Sequence, residues 1–154
     1  MEHIFGMKAV IMVRKFKSSD LEHVMKIWLE TNIAAHDFVP EKYWRDNFNA
    51  VREALPKAEI YVYECDCDNS IGGFIGLNGN FIEGLFVRYD LQSQGIGKKL
   101  LDSVKSVSSR LELSVYRKNG RAVKFYKREG FTVQSELVDE YTGEKECIMF
   151  WNIS

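Results

Sequence analysis

The chain of 154 residues carries only three cysteines, Cys65, Cys67 and Cys147, and only two prolines, Pro40 and Pro56. An odd cysteine count without framework spacing excludes a secreted disulfide scaffold. Cys65 and Cys67 sit in Glu-Cys-Asp-Cys-Asp-Asn, which has too few ligands for zinc and no Gly and Glu at the calcium-loop offsets. Reduced thiols and no metal are expected. No apolar run approaches the roughly 18–20 residues of a membrane helix. The start, Met-Glu-His-Ile-Phe-Gly-Met, has neither the basic region nor the long apolar stretch of a secretion signal, so a cytoplasmic chain is expected. Charge of one sign is also missing. The 21 Lys and Arg stand against 22 Asp and Glu, a net charge of −1, which gives no electrostatic case for nucleic acid. Repeats, linkers and low-complexity tracts are absent.

What remains is a globular composition, 45% hydrophobic, in a length that suits a single domain over residues 1–154. Residues 9–16 are β-rich. Ser18-Ser19-Asp20 offers a helix N-cap, and Leu21, Val24, Met25, Trp28 and Leu29 follow at helical spacing to about Ala35. His36-Asp37-Phe38-Val39 breaks the pattern. Pro40 opens a second helix, lined by Trp44, Phe48, Val51 and Leu55, and Pro56 ends it. Strands are predicted at 59–65, 71–77 and 81–88, with Asn78-Gly79-Asn80 as a hairpin turn and Gly84 as a bulge. A helix follows over about 95–109, with Ile96, Leu100, Leu101, Val104 and Val107 inward. Then come a strand at 111–116, a short helix from Asn119-Gly120 to Gly130, and strands near 131–138 and 145–152. This order predicts an α+β fold with a mixed, mostly antiparallel sheet and about four flanking helices, not a regular βαβ array.

One stretch carries the first chemical signal: Leu-Gln-Ser-Gln-Gly-Ile-Gly-Lys-Lys-Leu-Leu, residues 91–101, a glycine turn running into a helix. It is not a nucleotide P-loop, because no hydroxyl follows Gly97-Lys98 and no glycine stands five residues earlier. Nor is it a dinucleotide fingerprint, because Leu100 takes the third glycine position. A third option survives. Backbone N–H groups of Gln92, Ser93, Gln94, Gly95, Ile96 and Gly97 converge on a diphosphate, and the helix N-terminus adds about half a positive charge. Lys98 and Lys99 add screening charge. A plain helix start that happens to contain glycines is the alternative.

The stretch resembles the acetyl-CoA motif of the GNAT N-acetyltransferase superfamily, Gln/Arg-x-x-Gly-x-Gly/Ala, matched by Gln92, Gly95 and Gly97. A second match is Asn119-Gly-Arg-Ala122-Val-Lys-Phe125-Tyr126-Lys-Arg-Glu-Gly130-Phe131, which is similar to the family's Asn-x-x-Ala-x-x-Phe-Tyr-x-x-x-Gly-Phe. Leu85, Phe86 and Val87 stand in the place of its pantetheine-binding strand. The motifs cover about residues 70–133. The resemblance implies a fold with two splayed parallel strands, acetyl-CoA as cofactor, and direct acetyl transfer to a primary amine of a small molecule or peptide. A homodimer is also implied, because the family often pairs through its later strands. The alternative is a catalytically inactive acyl-CoA-binding regulatory domain.

Amine acetylation needs a neutral amine, a donor for the oxyanion and a proton for the leaving thiolate. The resemblance implies that Tyr126 is the general acid and that Asn119 contacts the pantetheine arm, beside the Lys98 already read as screening phosphate charge. For Asn119, an N-cap role is equally physical. The resemblance offers Glu83 as general base. A binder of a cationic acceptor, or a plain solvated carboxylate, remains open for it. Strand alternation predicts Glu83 on the face of Leu85 and Val87, with Phe86 opposite. The family's acceptor wall falls at His36-Asp37-Phe38, where a loop-fixing histidine is the competing reading; Trp28, Phe38 and Trp44 are candidates for an aromatic pocket there, with a core role as the alternative.

Overall fold

The computed structural model describes residues 12–65 and 68–153. Expectations on residues 1–11, Asp66 and Cys67 lie outside the described residues. The elements are β1 (Val13–Lys15), α1 (Leu21–Ala35), α2 (Glu41–Ala54), β2 (Glu59–Glu64), β3 (Ile71–Asn78), β4 (Phe81–Val87), α3 (Ile96–Lys105), β5 (Arg110–Tyr116), α4 (Gly120–Arg128), β6 (Thr132–Val138) and β7 (Lys145–Asn152). Their order is the predicted one. The seven strands form one sheet in the order β1-β2-β3-β4-β5-β7-β6, antiparallel everywhere except between β4 and β5.

Each face of the sheet has its own core. Ile75, Leu77, Ile82, Leu111, Leu113 and Met149 pack with Leu100, Leu101 and Val104 of α3 and Tyr126 of α4. On the other face Ile60, Val62 and Phe74 pack with Val24, Met25 and Trp28 of α1 and Trp44 of α2. The helical spacing of the apolar residues therefore buries each helix against alternate strand positions. The predicted end of α3 is too late. The helix stops at Lys105, and Val107 is 72% exposed rather than inward.

The predicted cap of α1 is also corrected. Ser18–Asp20 forms a 3₁₀ turn, and the Asp20 side chain makes no cap bond to α1. Its buried carboxylate instead accepts from Arg14 Nη1 and Nη2 (2.9 and 3.0 Å) and from the Lys17 N–H (2.8 Å). The Arg14 bonds hold the Asp20 carboxyl below its ordinary range. A lowered carboxylate pKa contributes stability above its unfolded value, and that stability is lost as pH falls through the folded value. Asp20→Asn should cost about 2 kcal/mol at neutral pH. In urea titrations the difference from wild type should shrink on acidification, as Asp20 itself takes up its proton.

The feature that positions the site is in β4. Between the pairs Gly76–Gly84 and Leu77–Ile82, β4 has one residue more than β3, and that residue is Glu83. The bulge changes the strand's parity. A Cβ built on Gly76 would lie 2.9 Å from Ile60 Cδ1 and 4.0 Å from Glu83 Cβ. Glu83 therefore stands on the α1–α2 face with Phe86, not with Leu85 and Val87 as alternation predicted. The parallel ladder ends at the same place: only Phe81–Glu112 and Ile82–Leu113 pair. Beyond them β4 stays on β3 as far as Val87, β5 stays on β7 as far as Tyr116, and the two strands part.

Candidate active site

A cavity of about 960 Å³ opens into this fork. Its walls are the last turn of α1, residues 85–87 of β4, the turn before α3, and α4. The edge of β4 facing β5 carries backbone groups with no ladder partner at residues 85–87, because the parallel pairing stops at Ile82. An extended chain with amides at suitable spacing can add there as a further strand. Phe86 is held on the α1–α2 side by stacking on Phe74, ring centroids 4.8 Å apart. Its ring lies over Gly84, where a built Cβ would be 2.3 Å away, so position 84 admits no side chain unless Phe86 shifts.

The turn before α3 has left-handed backbone at Ser93 (φ 67°) and at Gly95 (φ 84°), the N-cap of the helix. The first N–H groups of α3, from Ile96, Gly97 and Lys98, have no acceptor within the helix. All three residues line the cavity. Gln92 acts as a brace: its Nε2 donates to the Val87 carbonyl (3.1 Å) and its Oε1 accepts from Arg121 (2.6 Å). Arg121 also donates to Ser93 Oγ (2.9 Å), so β4, the turn and α4 are tied together at the mouth. Gln94 is exposed and is not part of the cavity wall. The ammonium of Lys98 is held by Glu129 (3.0 Å) and Asp102 (3.4 Å).

The structure adds cations that the motif reading missed. Arg121, Lys124 and Arg128 of α4 all line the cavity. Their i, i+3, i+7 spacing is the sequence signal that would have shown a basic stripe on one helical face. Asn32 was missed too. It lines the cavity and is 5% exposed, and its amide nitrogen has no partner among the described residues.

Tyr126 is 7% exposed and lines the cavity from α4. Burial pushes its hydroxyl well above the ordinary tyrosine range. The phenol is therefore a proton donor, never a phenolate, at neutral pH. Asn119 caps α4: its Oδ1 accepts from the Ala122 N–H (3.2 Å), as the N-cap reading predicts. Its Nδ2 faces His36 Nε2 at 3.3 Å. His36 also lines the cavity, stacked on Trp44 and edge-on to Phe38 and Tyr116. Phe38 shapes that aromatic wall without reaching the cavity itself. Trp28 belongs to the core instead: it is 8% exposed, with its ring against Trp44 and Phe48. Glu83 is exposed at the base of the fork, outside the cavity's lining.

Acetyl-CoA fits these groups. Its diphosphate suits the N–H groups and cations at the turn, and its two-amide arm suits the open β4 edge. A forked mixed sheet with a glycine turn opening a helix at the mouth of the fork defines the acyl-CoA N-acyltransferase fold. The model of the "Acetyltransferase (GNAT) domain" family matches residues 31–143. The chain is 33% identical over 144 residues to the peptidyl-lysine N-acetyltransferase YiaC of Escherichia coli K12, spanning 92% of this chain and 97% of that protein. The solution structure of apo-form YjaB from Escherichia coli superposes with a TM-score of 0.81 at 28% identity, over 90% of this chain and 95% of that one. A putative streptothricin acetyltransferase from Bacillus anthracis, solved with acetyl coenzyme A, shares the fold over 63% of each chain at TM-score 0.57 and 24% identity. This chain belongs to the GNAT acetyltransferase family and is an N-acetyltransferase.

Proposed function

We propose that the enzyme moves an acetyl group from acetyl-CoA to the side-chain amine of a lysine in a peptide or protein, by direct attack in a ternary complex. The observation that carries this reading is the fork itself. The open edge at residues 85–87 has the anion-cradling turn at one end and Glu83 at its base on the other face. A donor and an acceptor can thus meet at one point from opposite faces. The lysine class is favoured by the name of the 33% identical relative that spans nearly the whole chain.

Acetyl-CoA supplies the activated thioester. The N–H groups of Ile96, Gly97 and Lys98, with Arg121, Lys124 and Arg128, hold its phosphates. The backbone of residues 85–87 aligns its arm, which supplies proximity without an enzyme nucleophile. Tyr126 donates its hydroxyl proton to the departing sulfur. Glu83 takes a proton from the incoming ammonium, directly or through water, and so delivers a neutral amine.

The test is steady-state CoA release with a lysine peptide, a peptide with only a free α-amine, a polyamine and an aminoglycoside. The lysine peptide should give the highest kcat/KM. Glu83→Gln should lower kcat by about a hundredfold. A better rate on the polyamine or the α-amine would overturn the acceptor class. A Glu83→Gln enzyme with wild-type kcat would remove the base.

A further inference from the structure

We infer that His36 is a positioning residue for acetyl transfer, its neutral ring latching the α1–α2 loop to the head of α4 by accepting the Asn119 amide. The inference deepens the acetyltransferase reading and rests on it. Both ring nitrogens are occupied. Nδ1 lies 2.9 Å from the Asn32 carbonyl, which also accepts the His36 N–H at 3.1 Å. A carbonyl only accepts, so Nδ1 carries the hydrogen. Nε2 lies 3.3 Å from Asn119 Nδ2. Asn119 Oδ1 is committed to the Ala122 N–H, so the amide's NH₂ end faces His36. The network therefore admits one arrangement: Nδ1–H donates to Asn32, and the Nε2 lone pair accepts from Asn119.

The consequence for the site is direct. Asn32, His36, Asn119 and Tyr126 all line the same cavity, and Asn119 opens the helix that carries Tyr126. The latch thus fixes the acceptor side of the fork relative to the proton donor, over 83 positions of sequence. A small misplacement of reacting groups is enough to lower the rate severely. It also means that His36 is not a free base, since its lone pair is already used.

Protonation of His36 would put an N–H against the Asn119 NH₂ and open the latch. Burial holds the ring's pKa below its ordinary value, against the opposing Asn32 carbonyl bond. The latch is therefore closed at neutral pH and opens on acidification below the ordinary histidine range. The charged and titratable groups around the ring are few. From α2 there is Tyr43, one ring removed, packed on the Trp44 that stacks on the imidazole, and from β5 Tyr116, edge-on to the imidazole, whose hydroxyl donates to Asp139 of the β6–β7 hairpin. From the segment before α4 there is Lys118, its ammonium 5.7 Å from the Phe38 ring, and from the loop itself the exposed Asp37. The two tyrosines stay neutral over this range, since burial raises both.

The test uses the whole chain and two readouts. Long-range ¹H–¹⁵N spectra of the histidine rings should show His36 as the Nδ1–H tautomer at neutral pH. With a lysine peptide, His36→Ala should lower kcat about tenfold while the KM for acetyl-CoA changes less than about threefold. His36→Gln, whose Oε1 accepts the Asn119 amide at any pH, should restore most of kcat and lose the acid limb that the ring imposes. An Nε2–H tautomer, or a His36→Ala enzyme with wild-type kcat, overturns the latch. If no amine is acetylated, the acetyltransferase reading fails, and the ring spectra still decide the latch by themselves.

Discussion

Tyr126→Phe should lower kcat by about a hundredfold or more, with the KM for acetyl-CoA close to wild type. The ring packs edge-on against Phe125 (5.2 Å) and Phe131 (5.4 Å), and phenylalanine keeps both contacts. What the substitution removes is the hydroxyl proton alone. Burial raises this phenol, so the wild-type enzyme keeps its donor throughout the neutral and mildly alkaline range. No loss of kcat below the ordinary tyrosine pKa of about 10 should trace to Tyr126. Steady-state kinetics with a thermal melt separate the outcomes. A melt like wild type with a collapsed kcat supports the donor role; an unchanged kcat removes it.

The second large effect is on binding. Gly95→Val should weaken acetyl-CoA binding about tenfold or more, because left-handed backbone costs a side chain about 1–2 kcal/mol and more for a β-branched one. A Cβ at Gly95 would meet nothing within 4 Å, so the effect is conformational rather than steric. The turn can relax only by leaving φ 84°, and the N–H groups at the head of α3 then no longer converge. Gly95→Asn is the control, since asparagine tolerates this region and should bind nearly as wild type. Calorimetric titration with acetyl-CoA reads both. Wild-type affinity in Gly95→Val would show that the turn is not the anion cradle.

Most of the fold was legible because its signals are local. Asn78-Gly79-Asn80 makes a tight hairpin, with Gly79 at φ 62°, and Gly130 closes α4 at φ 94°. The glycine turn before α3 and the Asn119 cap of α4 were legible for the same reason. What sequence patterning missed depends on partners far along the chain. Alternation placed Glu83 on the wrong face, because a bulge is set by register against β3 and not by the strand's own pattern. Asp20 looked like a cap until Arg14 was brought beside it. Trp28 had the composition of a pocket wall, but its place between Trp44 and Phe48 makes it core. The His36–Asn119 contact has no local signature, since each residue reads alone as a helix terminus.

Direct transfer across the fork should place the acetyl group on a lysine amine without an acetyl-enzyme. Rapid-quench mass spectrometry, with acetyl-CoA and a peptide bearing one lysine and a blocked amino terminus, tests it most directly. The acetyl group should appear on the lysine Nζ within the first turnover, with no acetylated enzyme preceding it. An acetyl-enzyme that forms first and decays into product, or an unmodified lysine with acetyl-CoA shown to be bound, would contradict the account.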